Sequence, residues 1–268
     1  LGWFAFAVAL TTYSLTVEPT ASFWDAGEYI STSAKLQVGH PPGAPLYQML
    51  GAFFAMFDIG ADNIALHVNL LSVFSSAFTI LFLFWSTTLL LRKIVSRANE
   101  ELTNGKAIAV LGSALVGALA FTFSDSFWFN AVEAEVYAMA ALLMSLMFWL
   151  ALRWEAEMLE PRGHRWLILI SFVIGLSFGV HFMGLLTIPA IGFLYYFKHW
   201  KKITVKNFIG ANLVVVGILM VIFKLLLPYT LRFFGSAEVF FVNTFGLPFN
   251  SGTIIAGVLF VLIFVIFY

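Results

Sequence analysis

Apolar residues in this chain come in long runs rather than in stripes. Eight such runs lie near 1–16, 64–91, 107–123, 134–152, 166–180, 183–197, 208–227 and 252–268. A helix apolar on every side is one surrounded by hydrocarbon, and about 20 residues cross a bilayer, fewer where it thins or the flanks snorkel. The pattern predicts an all-α, polytopic integral membrane protein with about eight transmembrane helices. Between 166–180 and 183–197 the run breaks at Val180, His181 and Phe182, which predicts two short helices meeting at one membrane face. The chain opens on Leu1 inside an apolar run and closes on Val265–Tyr268, still apolar. The first run therefore reads as a clipped transmembrane helix, not a signal peptide, and the chain as truncated at both ends.

The polar positions between the runs fix a topology. Eleven of the 14 basic residues fall in alternate connections: Arg92, Lys93, Arg97 and Lys106, then Arg153, Arg162 and Arg165, then Lys198, Lys201, Lys202 and Lys206. The positive-inside rule makes that side cytoplasmic. Nine of the 14 acidic residues lie on the other side, with Lys35 and Arg232, while Lys224 falls inside the seventh run. The expected location is a membrane, with the functional loops on its outer side.

The first outer connection, about 18–62, is long and patterned. It holds FWDAGEY at 23–29, HPPGAP at 40–45 and an apolar stretch from Leu46 to Phe57. Prolines so clustered end one helix and start another, which predicts two surface helices near 25–37 and 44–57. A long structured loop is usually functional.

Composition adds exclusions. At 61% hydrophobic, 10% charged and zero net charge, with mean hydropathy +0.96, the chain has neither the surface of a soluble domain nor a basic patch for nucleic acid. Without cysteine it can have no disulfide or thiolate chemistry. It lacks a phosphate-cradling glycine loop, an HExxH motif and a Ser-His-Asp order, and its five histidines show no metal-ligand spacing.

Candidate chemistry gathers on the outer side. Asp25 and Glu28 are three apart and share a helix face, continued by Thr32 and Lys35. They read either as a carboxylate pair that accepts a proton or holds a cation, or as an acidic capping box with Asp25 at the N-cap. Asn130 and Glu133 also fit a capping box. Glu135, followed at once by the apolar helix Val136–Leu152 that carries Tyr137, places a carboxylate at the membrane boundary, costly unless paired or wet. His40 precedes the prolines, and His181 sits at the junction of the two short helices; each reads as a structural hydrogen-bonder or as a substrate contact. Lys224 and Arg232 can meet an anionic headgroup, lipid or substrate, and a divalent cation can sit on Glu28 or Glu135.

The run FWDAGEYISTSAKLQVGHPPGAPLYQML, the later NAVEAEVYAM and the segment GVHFMGLLTIPA resemble the bacterial relatives of the eukaryotic transmembrane protein O-mannosyltransferases. The likeness spans roughly residues 1–200, the amino-terminal membrane module. It implies the GT-C class of glycosyltransferases: a polyprenyl-phosphate sugar as donor, mannose passed by inverting displacement to a Ser or Thr hydroxyl, or to a glycan. It also implies a catalytic Asp in the first outer loop, which Asp25 matches. Glu28, His40, Glu133, Glu135, Tyr137, His181, Lys224 and Arg232 are then the candidates for holding the two substrates. Two readings from other classes stand beside it: a secondary transporter, for which no internal repeat is found, and a non-catalytic subunit of an envelope complex.

Overall fold

A computed structural model describes the chain except residues 59, 61, 97–100, 201 and 268 and the side chains of 264 and 267. Arg97 and Lys201 of the predicted cytoplasmic set lie outside the described residues. Every described element is helical, and two compact units divide the chain, Leu1–Lys201 and Lys202–Tyr268.

The first unit is built on α4 (Ile64–Val95), against which α1 (Gly2–Leu15), α3 (Pro45–Ala55), α5 (Asn104–Thr122) and α7 (Val136–Glu157) all pack. Small residues allow it. Ser72, Ser75, Ser76 and Ala77 of α4 are buried, as are Ala138, Ala140 and Ala151 of α7, so the backbones approach closely, as helices in lipid require. Ala5, Ala9 and Tyr13 form one buried stripe of α1, and the Tyr13 hydroxyl donates to the Thr122 carbonyl at 2.9 Å.

Charge separates along α7. Glu135 precedes its first turn. At its far end Glu155 pairs with Lys93 and, at 3.4 Å, with Lys198, while Glu157 takes Arg165 at 2.7 Å and the Trp166 indole N–H at 2.9 Å. Glu135 of the acidic set thus stands at one end of α7, and Lys93, Arg165 and Lys198 of the basic set gather at the other.

The two surface helices are α2 (Ala26–Lys35) and α3. After them come α6 (Asp125–Ala131), a short helix not foreseen, then α8 (His164–Phe178), a 3-10 turn (Phe182–Leu186) and α9 (Thr187–His199). The break predicted at 180–182 falls where α8 ends. The second unit departs further from expectation. A span at 208–227 followed by a loop was expected; instead α10 (Val205–Met220) runs through a π-helical turn (Val221–Leu226) into α11 (Leu227–Phe245), and α12 (Ser251–Phe267) packs back on α11. Pro228 does not end the helix because the wider π turn before it absorbs the missing N–H. Glu238 caps α12, accepting from the backbone N–H of Asn250 at 2.6 Å and of Thr253 at 2.8 Å.

Eight spans is more than the helices support individually. Among the described residues four are long and apolar enough to cross a membrane: Ile64–Val95, Asn104–Thr122, Val136–Glu157 and the continuous Val205–Phe245. The stretches 2–15, 164–178 and 251–263 are apolar but shorter.

Candidate functional site

The site forms where the starts of α2 and α7 meet. Asp25 is the N-cap residue of α2, yet its side chain makes no capping bond. Its backbone N–H donates instead to the Glu135 carboxylate at 3.2 Å, and Glu135 is the N-cap residue of α7. Upstream, the fully buried Asn69 amide of α4 donates to the Glu18 and Thr20 carbonyls at 2.6 and 3.0 Å, pinning the approach to Asp25.

The capping box expected of Asp25 and Glu28 does not form, because Glu28 has a better partner. Leu36, at φ 49°, ends α2 and turns the chain back. His40 returns beside Glu28, its backbone N–H donating at 2.6 Å to one carboxylate oxygen and its ring Nδ1 lying 3.0 Å from the other. His40 Nε2 then faces Asp25 at 4.0 Å. The backbone and ring bonds from His40 hold the Glu28 carboxyl below its ordinary range, and the same carboxylate raises the imidazole above its own. Gly43, at φ 80°, closes the proline turn, a conformation that costs glycine little.

His181 is brought in by the next contact. The Gly179 carbonyl, at the end of α8, accepts from the N–H groups of Leu46 at 2.8 Å and Tyr47 at 3.3 Å, the first turn of α3. A Cβ on Gly179 would lie 2.8 Å from that of Leu46, so only glycine allows the approach. His181 Nδ1 accepts the Met183 N–H at 3.1 Å, which leaves the ring proton on Nε2. Burial lowers its pKa and keeps it neutral. Its ring centroid lies 5.4 Å from that of Tyr137.

Glu135 is 5% exposed. Burial first, then the nearby Asp25 and Glu133 carboxylates, push its pKa up to about 7. Burial first, then the Glu135, Asp25 and Glu28 carboxylates, push the Tyr29 hydroxyl to about 12, so it stays protonated at neutral pH. Glu133 is not in a capping box either. It accepts from the Ser22 hydroxyl at 2.5 Å, burial raises its pKa, and Asn130 turns its amide to the Ser126 carbonyl within α6. Neither capping-box reading holds: Glu28 is taken by His40, and Asn130 lies inside α6, where it is no N-cap residue.

Two clefts flank this wall. One is lined by Asp25, Tyr29, His40, Glu135, Tyr137 and His181, with Phe178, Val180 and Phe182 at its side. The other is lined by Trp24, Asp25, Phe129, Asn130, Glu133, Glu135 and Tyr137. Trp24 stands at φ 60°, where a bulky residue is rarely found, and is 86% exposed. Of the residues expected at the site, Lys224 lies in the π turn, over the Phe223 ring, and Arg232 in α11, over the Tyr229 ring; both belong to the second unit. Tyr29 and the apolar 178–182 edge were not foreseen, although Tyr29 closes the FWDAGEY run four residues after Asp25. Asp25, Glu28 and His40 place ligand atoms within 4.8 Å of one another, the arrangement a divalent cation would need, although a cation there must compete with the Glu28–His40 bond.

The chain is a helical protein with four helices long and apolar enough to cross a membrane among its described residues, and it carries a carboxylate and histidine cluster at the starts of α2 and α7. The profile of the family described as protein O-mannosyl-transferase TMEM260 N-terminal domain matches residues 25–204, and the chain belongs to that family. It is 27% identical over 173 residues to protein O-mannosyl-transferase TMEM260 of Mus musculus, covering 64% of this chain and 22% of the relative. It is 28% identical over 142 residues to the Dictyostelium discoideum protein of that name, covering 51% and 15%. The chain thus spans about a fifth or less of the curated relatives' length. No solved structure matches it.

Proposed function

We propose that this chain is the membrane module of a GT-C type glycosyltransferase that moves mannose from a polyprenyl-phosphate donor to a protein Ser or Thr hydroxyl. The observation that carries the reading is the position of Asp25. In a family whose relatives are named protein O-mannosyl-transferases, it is one of two carboxylates that line both clefts, 4.0 Å from the His40 ring and at the end of the bundle. The four long helices span the bilayer, α1, α8 with α9, and α12 complete the transmembrane part, and the carboxylate end faces outward by the positive-inside rule. Carboxylates at helix ends rather than at the midplane speak against a transporter.

The chemistry follows from charge. The acceptor oxygen attacks C1 of the sugar as the C1–O bond to phosphate breaks, and its proton passes to Asp25. The bonding electrons leave with the lipid phosphate, whose growing charge is met by the N–H groups of His40 and His181. Glu28 holds His40 in place for this, and Glu135 fixes the Asp25 backbone.

The test is transfer of labelled mannose from polyprenyl-phosphate mannose to an acceptor peptide. Asp25→Asn keeps the shape and loses the base, so transfer is expected to fall by about 10²-fold or more with the fold intact. Near-normal turnover by a folded Asp25→Asn protein removes Asp25 from the mechanism.

A further inference from the structure

Residues 16–25 connect α1 to α2 without helix, yet they run in step beside a second segment. The Trp128 indole N–H donates to the Thr16 hydroxyl at 2.9 Å, and the Glu18 N–H donates to the Val132 carbonyl at 2.9 Å. Further on, the Ser22 hydroxyl donates to Glu133 at 2.5 Å and the Asp25 N–H to Glu135 at 3.2 Å. The last two ties end on carboxylates that are 3% and 5% exposed. A strap at the surface is thus gripped, at two points three residues apart, by side chains rooted in the packed bundle.

Trp24 stands between the two points. Its φ of 60° is a conformation that a bulky residue keeps only where its surroundings impose it. Its side chain is 86% exposed, so packing of the ring does not impose it; the backbone on either side does. Asp25 depends on that bend, because its side chain makes no capping bond and takes its direction from the backbone. Resting on the function proposed above, we infer that Glu133 is a positioning residue: through Ser22 it holds the bend at Trp24 and so aims the Asp25 carboxylate. Glu135 alone leaves the bend free, since one tie fixes a point and two fix a direction. A buried carboxylate suits the task. A hydrogen bond to it forms where water competes poorly, and releasing Ser22 would leave a buried acceptor unpaired.

The chain has no cysteine, so a nitroxide on Phe23→Cys, a position 79% exposed, reports on the strap from one place. In lipid bilayers its spectrum should be that of a restrained label in the parent chain. Ser22→Ala and Glu133→Met should each add a mobile component, and Ser22→Thr, which keeps the hydroxyl, should restore the restraint. Ser22→Ala removes a single oxygen from a connecting segment, so it decides the matter even if the Glu133 variant does not fold. A label equally restrained in Ser22→Ala refutes the tie. Kinetics supply the second arm. Each single variant should lower kcat about tenfold with the KM of donor and acceptor within twofold, because a misaimed base weakens the transition state and not binding. Ser22→Thr should recover most of that loss, and the double variant should fall no further, the tie being already gone. Additive losses, or a KM that rises while kcat holds, overturn the inference. Loosening of the strap in a parent chain that moves no mannose would sink the transferase reading and leave the grip on Asp25 standing. Transfer by a parent whose label stays restrained in both variants would do the opposite.

Discussion

Glu135 gives a prediction whose size can be worked out. Its carboxyl titrates near 4.5 in an unfolded chain and near 7 in the folded protein. The folded state therefore holds the proton more tightly, and stability falls as pH rises from about 4.5 through 7. At 1.36 kcal/mol per unit, a group moved from 4.5 to about 7 carries a penalty of about 3 kcal/mol above neutral pH, an upper figure because Asp25 and Glu133 share in it. Glu135→Gln keeps the shape and an oxygen to accept the Asp25 N–H, and it has no charge to bury. Thermal unfolding of wild type and variant in detergent, followed by tryptophan fluorescence from pH 4 to 8.5, reads the difference. The two should unfold together near pH 4, with the variant several degrees more stable at pH 8.5. Curves that stay parallel across the range, or a variant weaker at high pH, would refute a buried, strained carboxylate.

Glu28→Gln should lower the titration midpoint of His40 in a histidine NMR experiment, since the carboxylate that favours the imidazolium is gone; an unchanged midpoint would mean the pair does not form in solution. Gly179→Ala forces a Cβ against Leu46 and should cost about 1–3 kcal/mol and transfer activity, whereas Gly175→Ala, with nothing within 4 Å of its Cβ, should be neutral or stabilising by unfolding temperature. Glu155→Ala should lower the unfolding temperature more than Lys93→Ala because it leaves two cations facing each other, and high salt should narrow the gap.

Elements carried by long apolar runs were legible in the sequence, because one-dimensional hydrophobicity suffices to place α1, α4, α5 and α7. The surface helices were legible for another reason: Pro41, Pro42 and Pro45 mark where helix must stop and restart. The capping boxes misled because a box is judged within four residues, while Glu28 is taken by His40, twelve residues away, and Glu133 by Ser22, 111 residues away. Spacing cannot report such pairs. Asp25, His40, Glu135, Tyr137 and His181 could each be singled out as polar groups at membrane ends, but only folding shows that they share one cleft. The continuation of helix beyond Pro228 was hidden because the rule for proline assumes an α-helical turn on its N-terminal side, and that turn is π-helical here.

Asn69 and Lys93 sit near opposite ends of one unbroken helix, and that gives α4 the character of a ruler. Their separation of 24 residues corresponds to about 36 Å at 1.5 Å per residue, against about 30 Å for a hydrocarbon core. The buried amide holds the segment leading into Asp25, and the lysine ties the opposite end to Glu155. On the transferase reading proposed above, a bilayer thinner or thicker than this gauge must deform around the protein, and transfer is expected to depend on membrane thickness.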